Sequence, residues 1–195
     1  MEKTTMKRLF VCASLLIVAA TLSAQTAPPQ GPPTGPPKSP PATASVTFGG
    51  KAITITYSSP RVRGRAGQIF GKDGLISHDK GYPVWRAGAN AVTTLHTETD
   101  LELGPNLALV PKGDYTLFVD ISNPDKWVLI VNKQTGQSGL AYDKTQDLVR
   151  VEMGMVKPPE MVENLKYSLD SYGPKWGGLT LSWENHIAVI PIHAP

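Results

Sequence analysis

Arg61, Arg63 and Arg65 alternate along one short stretch of the chain, and Arg86 follows within Trp85-Arg86-Ala87-Gly88-Ala89-Asn90. A guanidinium is permanently charged, and its planar fork of N–H donors matches the oxygens of a carboxylate or a phosphate. Three such residues at every second position of an extended strand would stand on one face and line a groove. The pattern predicts a ligand-binding site for an anion or a sugar acid, built from Arg61, Arg63, Arg65, Trp85, Arg86 and Asn90. A second reading stands beside it. Residues 42–100 carry seven basic and four acidic groups, and residues 101–195 carry eight basic and eleven acidic groups. The two halves could therefore neutralise each other. The Trp85 stretch likewise admits a purely local role: a locked turn with Trp85 in the core, Arg86 on loop carbonyls and Asn90 on its own backbone. Gly88 allows backbone angles that other residues avoid, and Asn tolerates left-handed turns.

Other chemistry is sparser. The histidines are His78, His96, His186 and His193. His96 and Glu98 are two apart on an expected strand and so share a face. Such a pair could seed a metal site, but a site needs three or four ligands and the spacing supplies no third. The plainer reading is a solvated strand face. No His-Glu-x-x-His helix and no EF-hand loop occurs. Gly136-Gln137-Ser138-Gly139 has its second Gly directly after the serine, where a Gly-x-Ser-x-Gly elbow needs one residue between them. Residues 67–72 have the wrong glycine spacing for a phosphate loop, and Asp73 stands where Ser or Thr is needed. No catalytic residue, metal ligand or cofactor is assigned. Among the tryptophans, Trp176 sits among loop formers and is the best candidate for stacking on a sugar, or for capping the end of the fold. Trp127 and Trp183 lie on expected strands and belong in the core.

The elements that must position these residues are strands. Ile53, Ile55 and Tyr57 alternate with threonines. So do Tyr115, Leu117, Val119 and Ile121 with Thr116 and Asp120, and Val149, Val151, Met153 and Met155 with Arg150 and Glu152. Leu165, Tyr167 and Leu169, and then Leu179, Leu181 and Trp183, continue the pattern. Period two marks half-buried strands. Residues 127–131 are apolar on both faces and read as a central strand. Gly104-Pro105-Asn106, Pro111-Lys112-Gly113, Asn123-Pro124-Asp125 and Glu184-Asn185 supply hairpin turns. No amphipathic helix exceeds about two turns, and residues 143–146 form at most one short turn. The expected fold is all-β: an antiparallel β-sandwich, or a jelly roll, of about nine or ten strands.

The 195 residues divide unequally. Lys3, Lys7 and Arg8 precede an apolar run over residues 9–20, and Thr21-Leu22-Ser23-Ala24 ends in small residues. This reads as a secretory signal peptide cleaved between Ala24 and Gln25. The run is shorter than the roughly 20 apolar residues of a membrane span. Residues 28–41 hold eight Pro and two Gly, so residues 25–41 read as a disordered linker. Residues 42–195 read as one domain, and they carry no net formal charge. That neutrality argues against a nucleic-acid partner. Cys12, the single cysteine, falls in the signal. The expected product is secreted or periplasmic, without a membrane span. Its expected partner is a small molecule, a glycan or an envelope protein. The readings are a binding module, a hydrolytic or metal-assisted enzyme using His96, Glu98 and the arginines, and a structural interaction domain.

Several stretches form a recognisable set. They are Ser59-Pro60-Arg61-Val62-Arg63-Gly64-Arg65 with Ile69-Phe70-Gly71, the run from Val84-Trp85-Arg86 to Ala91-Val92-Thr93, and Pro111-Lys112-Gly113-Asp114-Tyr115-Thr116-Leu117-Phe118. Trp127-Val128-Leu129-Ile130-Val131-Asn132-Lys133 and Tyr142-Asp143 complete it. Together they resemble a bacterial secreted family known as domain of unknown function 2911, over most of residues 42–192. The resemblance implies an envelope or secreted protein. It implies no activity and assigns no functional residues. Ala66-Gly67-Gln68 lengthens the loop relative to the commoner Gly-Arg-x-Ile-Phe-Gly spacing of that family.

Overall fold

A computed structural model describes residues 37–195. The expected signal peptide and residues 25–36 of the expected linker lie outside the described residues. Thirteen strands are present among the described residues, four of them only two or three residues long.

One sheet runs β1 (Pro41–Phe48), β2 (Lys51–Ser58), β4 (Thr93–Thr97), β7 (Gly113–Asp120), β8 (Val128–Asn132) and β9 (Asp147–Glu152), with the short β3 (Val84–Trp85) paired to the end of β7. The other runs β11 (Val162–Ser171), β12 (Trp176–Glu184), β13 (His186–His193), β5 (Leu101–Leu103) and β6 (Ala108–Val110). In that sheet β10 (Gly154–Val156) also pairs with β13. All pairings are antiparallel, and the sheets do not close into a barrel. Among the described residues no helix is long and apolar enough to cross a membrane.

The core is the facing surfaces of the two sheets. Ile53, Ile55, Leu95, Leu117 and Val131 come from the first, and Leu165, Tyr167, Leu179, Leu181 and Ile190 from the second. Burying each side chain of this size contributes about 1.5–3 kcal/mol. The period-two residues read from the sequence occupy these positions because successive side chains of a strand point to opposite faces.

β7 and β8 depart from simple alternation. Phe118 and Ile130 are buried although they face away from the sandwich core. The connection over residues 133–146 covers that outer face, and Tyr142 meets Phe118 at 5.1 Å. Asn132 donates to the Asp143 carbonyl and to Asp147, and Arg150 bridges Asp147 and Asp120. Burial and the hydrogen bond to Asp147 push the Tyr142 hydroxyl up to about 12, so it stays a donor. The apolar run at residues 127–131 thus marks a strand paired on both sides and covered on both faces.

The run from Val149 to Met155 is not one strand. It breaks at the buried Met153, whose N–H bonds the Trp127 carbonyl. Gly154 then passes to the other sheet, pairing with Val189, where an added Cβ would stand 3.1 Å from a Val189 methyl. One segment therefore ties both sheets together. The turn expected at residues 143–146 is the 3-10 turn Lys144–Gln146, capped by the Asp143 carboxylate on the Thr145 N–H.

Candidate anion-binding cleft

The connection from β2 to β3, residues 59–83, carries three of the four arginines. Its start is stitched to the edge strand β11. The Ser59 hydroxyl donates to the Leu165 carbonyl, Val62 N–H to the Glu163 carbonyl, and Arg63 N–H to the Glu163 carboxylate. Arg61 forms an isolated bridge with Asn164. The chain then reverses: Arg63 has φ 52° and Gly64 φ 72°, and Arg65 N–H returns to the Val62 carbonyl. The expected row of arginines on a strand face is therefore corrected to a turn.

That turn still brings them together. Arg61, Arg63, Arg65, Trp85, Arg86 and Asn90 all line one open cleft of about 470 Å³. Lys38 adds a fifth cation to its wall, and Asp79 is the one carboxylate there. Leu75, Ile76 and Trp183 form an apolar flank. None of the five cations is ion-paired among the described residues. Three acids of the C-terminal half are engaged elsewhere, Glu152 with Lys126 and Asp120 and Asp147 with Arg150, and Glu163 meets the turn through the Arg63 backbone N–H and not through a guanidinium. The charge contrast between the two halves does not neutralise these arginines.

The guanidiniums differ in freedom. Arg65 donates from Nε to the Val62 carbonyl at 2.9 Å and from Nη2 to the Arg61 carbonyl at 2.7 Å, so it holds the turn. Arg63 donates from Nη2 to the Lys38 carbonyl at 3.1 Å. Arg86 makes one long bond to the Asn90 carbonyl at 3.4 Å, and its buried Nε has no partner. The Trp183 indole N–H is also buried without a partner. Arg61 makes no side-chain hydrogen bond among the described residues. An unpaired buried donor is costly, and both of these belong to residues that line the cleft.

The Trp85–Asn90 stretch is held rigid. Trp85 is buried against Phe70, Trp127 and Trp183, stacked on the last at 5.8 Å and 15°. Ala87 has φ 49°, and its carbonyl accepts from both Tyr167 Oη and Thr93 Oγ1 at 3.1 Å. Complete burial raises the Tyr167 pKa far above its ordinary value, which keeps that donor neutral. Asn90 also takes a positive φ, 57°, but its amide donates to the Ser39 carbonyl, not to its own backbone. The last residues of the expected linker are therefore part of the cleft wall. A Cβ at Gly88 would stand 2.8 Å from Thr93 Oγ1. Gly88→Ala is expected to cost about 1–3 kcal/mol by overpacking, read as a lower melting temperature. An unchanged melting curve would show that the stretch has room to shift.

The remaining candidates lie elsewhere. His96 Nδ1 sits 2.8 Å from Asp114 on the exposed face of β4, and Glu98 accepts from Ala52 N–H at 2.7 Å. Neither lines the cleft, and among the described residues no three His, Cys, Asp or Glu side chains are placed to hold a metal ion. Trp176 is half exposed and stacks on His193 at 4.2 Å. His186 stacks on Trp127 at 5.0 Å, and its burial lowers the pKa against the pull of Glu184, 3.8 Å away. Glu184, itself buried, accepts from Gly67 N–H and pins the long loop to the β12–β13 hairpin.

Sequence reading missed Lys38, Asp79 and the cleft role of Trp183. Lys38 was hidden by its proline-rich context and Asp79 by a loop without periodicity. The alternation around Trp183 marked only its burial.

A family model described as Protein of unknown function (DUF2911) matches residues 39–192. The chain belongs to that family. The DUF2911 match takes in both sheets and all of the cleft wall named above except Lys38. No curated protein and no solved structure matches the chain.

Proposed function

We propose that this DUF2911 protein is a secreted or periplasmic binding module whose cleft holds a small organic anion. One observation carries the reading: five cationic side chains, none ion-paired among the described residues, line one cleft opposite a single carboxylate. Like charges crowded along one open cleft repel each other and create a positive potential, which an anion relieves. The volume of about 470 Å³ falls within the range of small-molecule sites, roughly 300–1,000 Å³. Arg63, Arg65 and Asn90 are already fixed by hydrogen bonds to carbonyls, so less ordering remains to be done on binding. The signal-like residues 1–24 support export, and the proline-rich residues 25–37 support a spacer that holds the cleft off a surface.

Isothermal titration calorimetry tests the reading on the domain with its linker. Carboxylates and phosphate are expected to bind, with affinity falling as ionic strength rises from about 0.1 M to about 1 M, because screening shortens the reach of the arginines. No heat from any anion at about 1 mM, the weakest affinity a specific site would show, would sink it.

A further inference from the structure

Asp79 does not belong in a cleft made for a bare anion. Its carboxylate lines the same wall as four arginines and Lys38, yet it pairs with none of them among the described residues. It follows the 3-10 turn Leu75–His78, and its own N–H bonds back to the Ile76 carbonyl. The residue therefore enters the cleft from the same long connection, residues 59–83, that carries the arginine turn at residues 61–65. An ionised Asp only accepts hydrogen bonds. It would repel any carboxylate or phosphate that filled the whole cleft, and it offers both oxygens to a ligand that brings donors.

We infer that the ligand is a polyhydroxy acid, a sugar acid of the uronate type, with Asp79 as the residue that selects it. This rests on the anion-binding reading above. The carboxylate of the ligand faces Arg61, which makes no side-chain hydrogen bond among the described residues, and Arg86, whose one bond is long at 3.4 Å. Its hydroxyls donate to Asp79. The C–H face of the ring packs on apolar residues of the same lining, Leu75, Ile76 and Trp183 among them. A cavity of about 150 Å³ holds benzene, so about 470 Å³ admits a six-membered ring with its substituents. An amino acid would also offer donors to Asp79. Its ammonium, however, must enter a cleft with five cations and one anion, and the net field opposes it. Hydroxyls carry no charge and meet no such opposition.

Calorimetry with four probes tests this: galacturonate, cyclohexanecarboxylate, glucose and glutamate. Cyclohexanecarboxylate keeps the six-membered ring and the carboxylate but has no hydroxyls. A site built to hydrogen-bond hydroxyls discriminates strongly against the analogue without them. Galacturonate is expected to bind at least about ten-fold tighter than each of the other three. Asp79→Ala is expected to erase that preference by weakening galacturonate and leaving cyclohexanecarboxylate unchanged or tighter. Equal binding of the two ring carboxylates, a preference that survives Asp79→Ala, or tighter binding of glutamate overturns the inference and leaves anion binding standing. Silence from every carboxylate and from phosphate overturns both, and silence from the carboxylates alone overturns this inference.

Discussion

The double variant Arg61→Ala/Arg86→Gln is expected to lose anion binding by about 100-fold or more. A hydrogen bond to a charged group contributes about 1.5–3 kcal/mol, and about 1.4 kcal/mol is a factor of ten in affinity. Two such contacts removed together therefore carry the effect well past any change in bulk charge. These two side chains are chosen because, among the described residues, Arg61 has no side-chain bond to give up and the single bond of Arg86 is the longest among the other three arginines. Arg61 makes no side-chain hydrogen bond among the described residues, and Arg86 makes only the 3.4 Å bond to Asn90. Arg65 is the opposite case. Its Nε and Nη2 already hold the carbonyls of Val62 and Arg61, so Arg65→Ala acts first on the turn and lowers stability as well as affinity. Arg86→Lys refines the test, because it keeps the charge and loses the planar fork. If fork geometry matters, Arg86→Lys binds nearly as poorly as Arg86→Gln. A loss under about three-fold in the double variant would mean that the anion does not meet these residues, since a single charged hydrogen bond is worth more than that. Melting curves recorded alongside separate lost affinity from lost fold.

The contrast between Arg61 and Arg65 shows how far the sequence could be read. Arginine spacing named four of the five cations, and all four face one cleft, but the reason given for their convergence was wrong. A strand was expected, and a turn with two left-handed residues does the work instead. Alternation is a local signal, and it cannot distinguish an extended segment from a reversal whose angles are set by Glu163 and Asn164 on a distant strand. The same limit explains Asp79 and Lys38. Their place in the cleft depends on how a long loop and the end of a proline-rich stretch fold back, and neither has a period to read. The strands were far more legible, because burial between two sheets imposes period two wherever one face is wet. The pattern faltered where that condition failed. Phe118 and Ile130 are covered on the outer face, and Met153 lies where the chain leaves one sheet for the other.

Trp183→Ala is expected to cost about 3–5 kcal/mol, the usual range for deleting a buried large aromatic. In a domain of this size each kcal/mol moves the melting temperature by about 2–4 °C, so the fall is roughly 6–20 °C. Trp183 is 6 % exposed, stacked on Trp85 and edge-on to Phe70 at 5.7 Å. Its removal opens a void beneath the ring that precedes Arg86. Trp183→Phe is the informative companion. The indole N–H has no partner, so phenylalanine loses area but no hydrogen bond, and the cost is expected to stay well below that of alanine. The consequence for the cleft separates Trp183 from an ordinary core residue. Leu181 on the same strand is fully buried but does not line the cleft. Leu181→Ala is expected to cost about 2–5 kcal/mol while leaving the anion affinity of the folded protein unchanged. Trp183→Ala, measured well below its own melting temperature, is expected to weaken both, because Trp85 loses its stacking partner and Arg86 moves with it. Equal affinity in the two variants would show that Ala87, held by Tyr167 and Thr93, fixes Arg86 without help from the aromatic cluster.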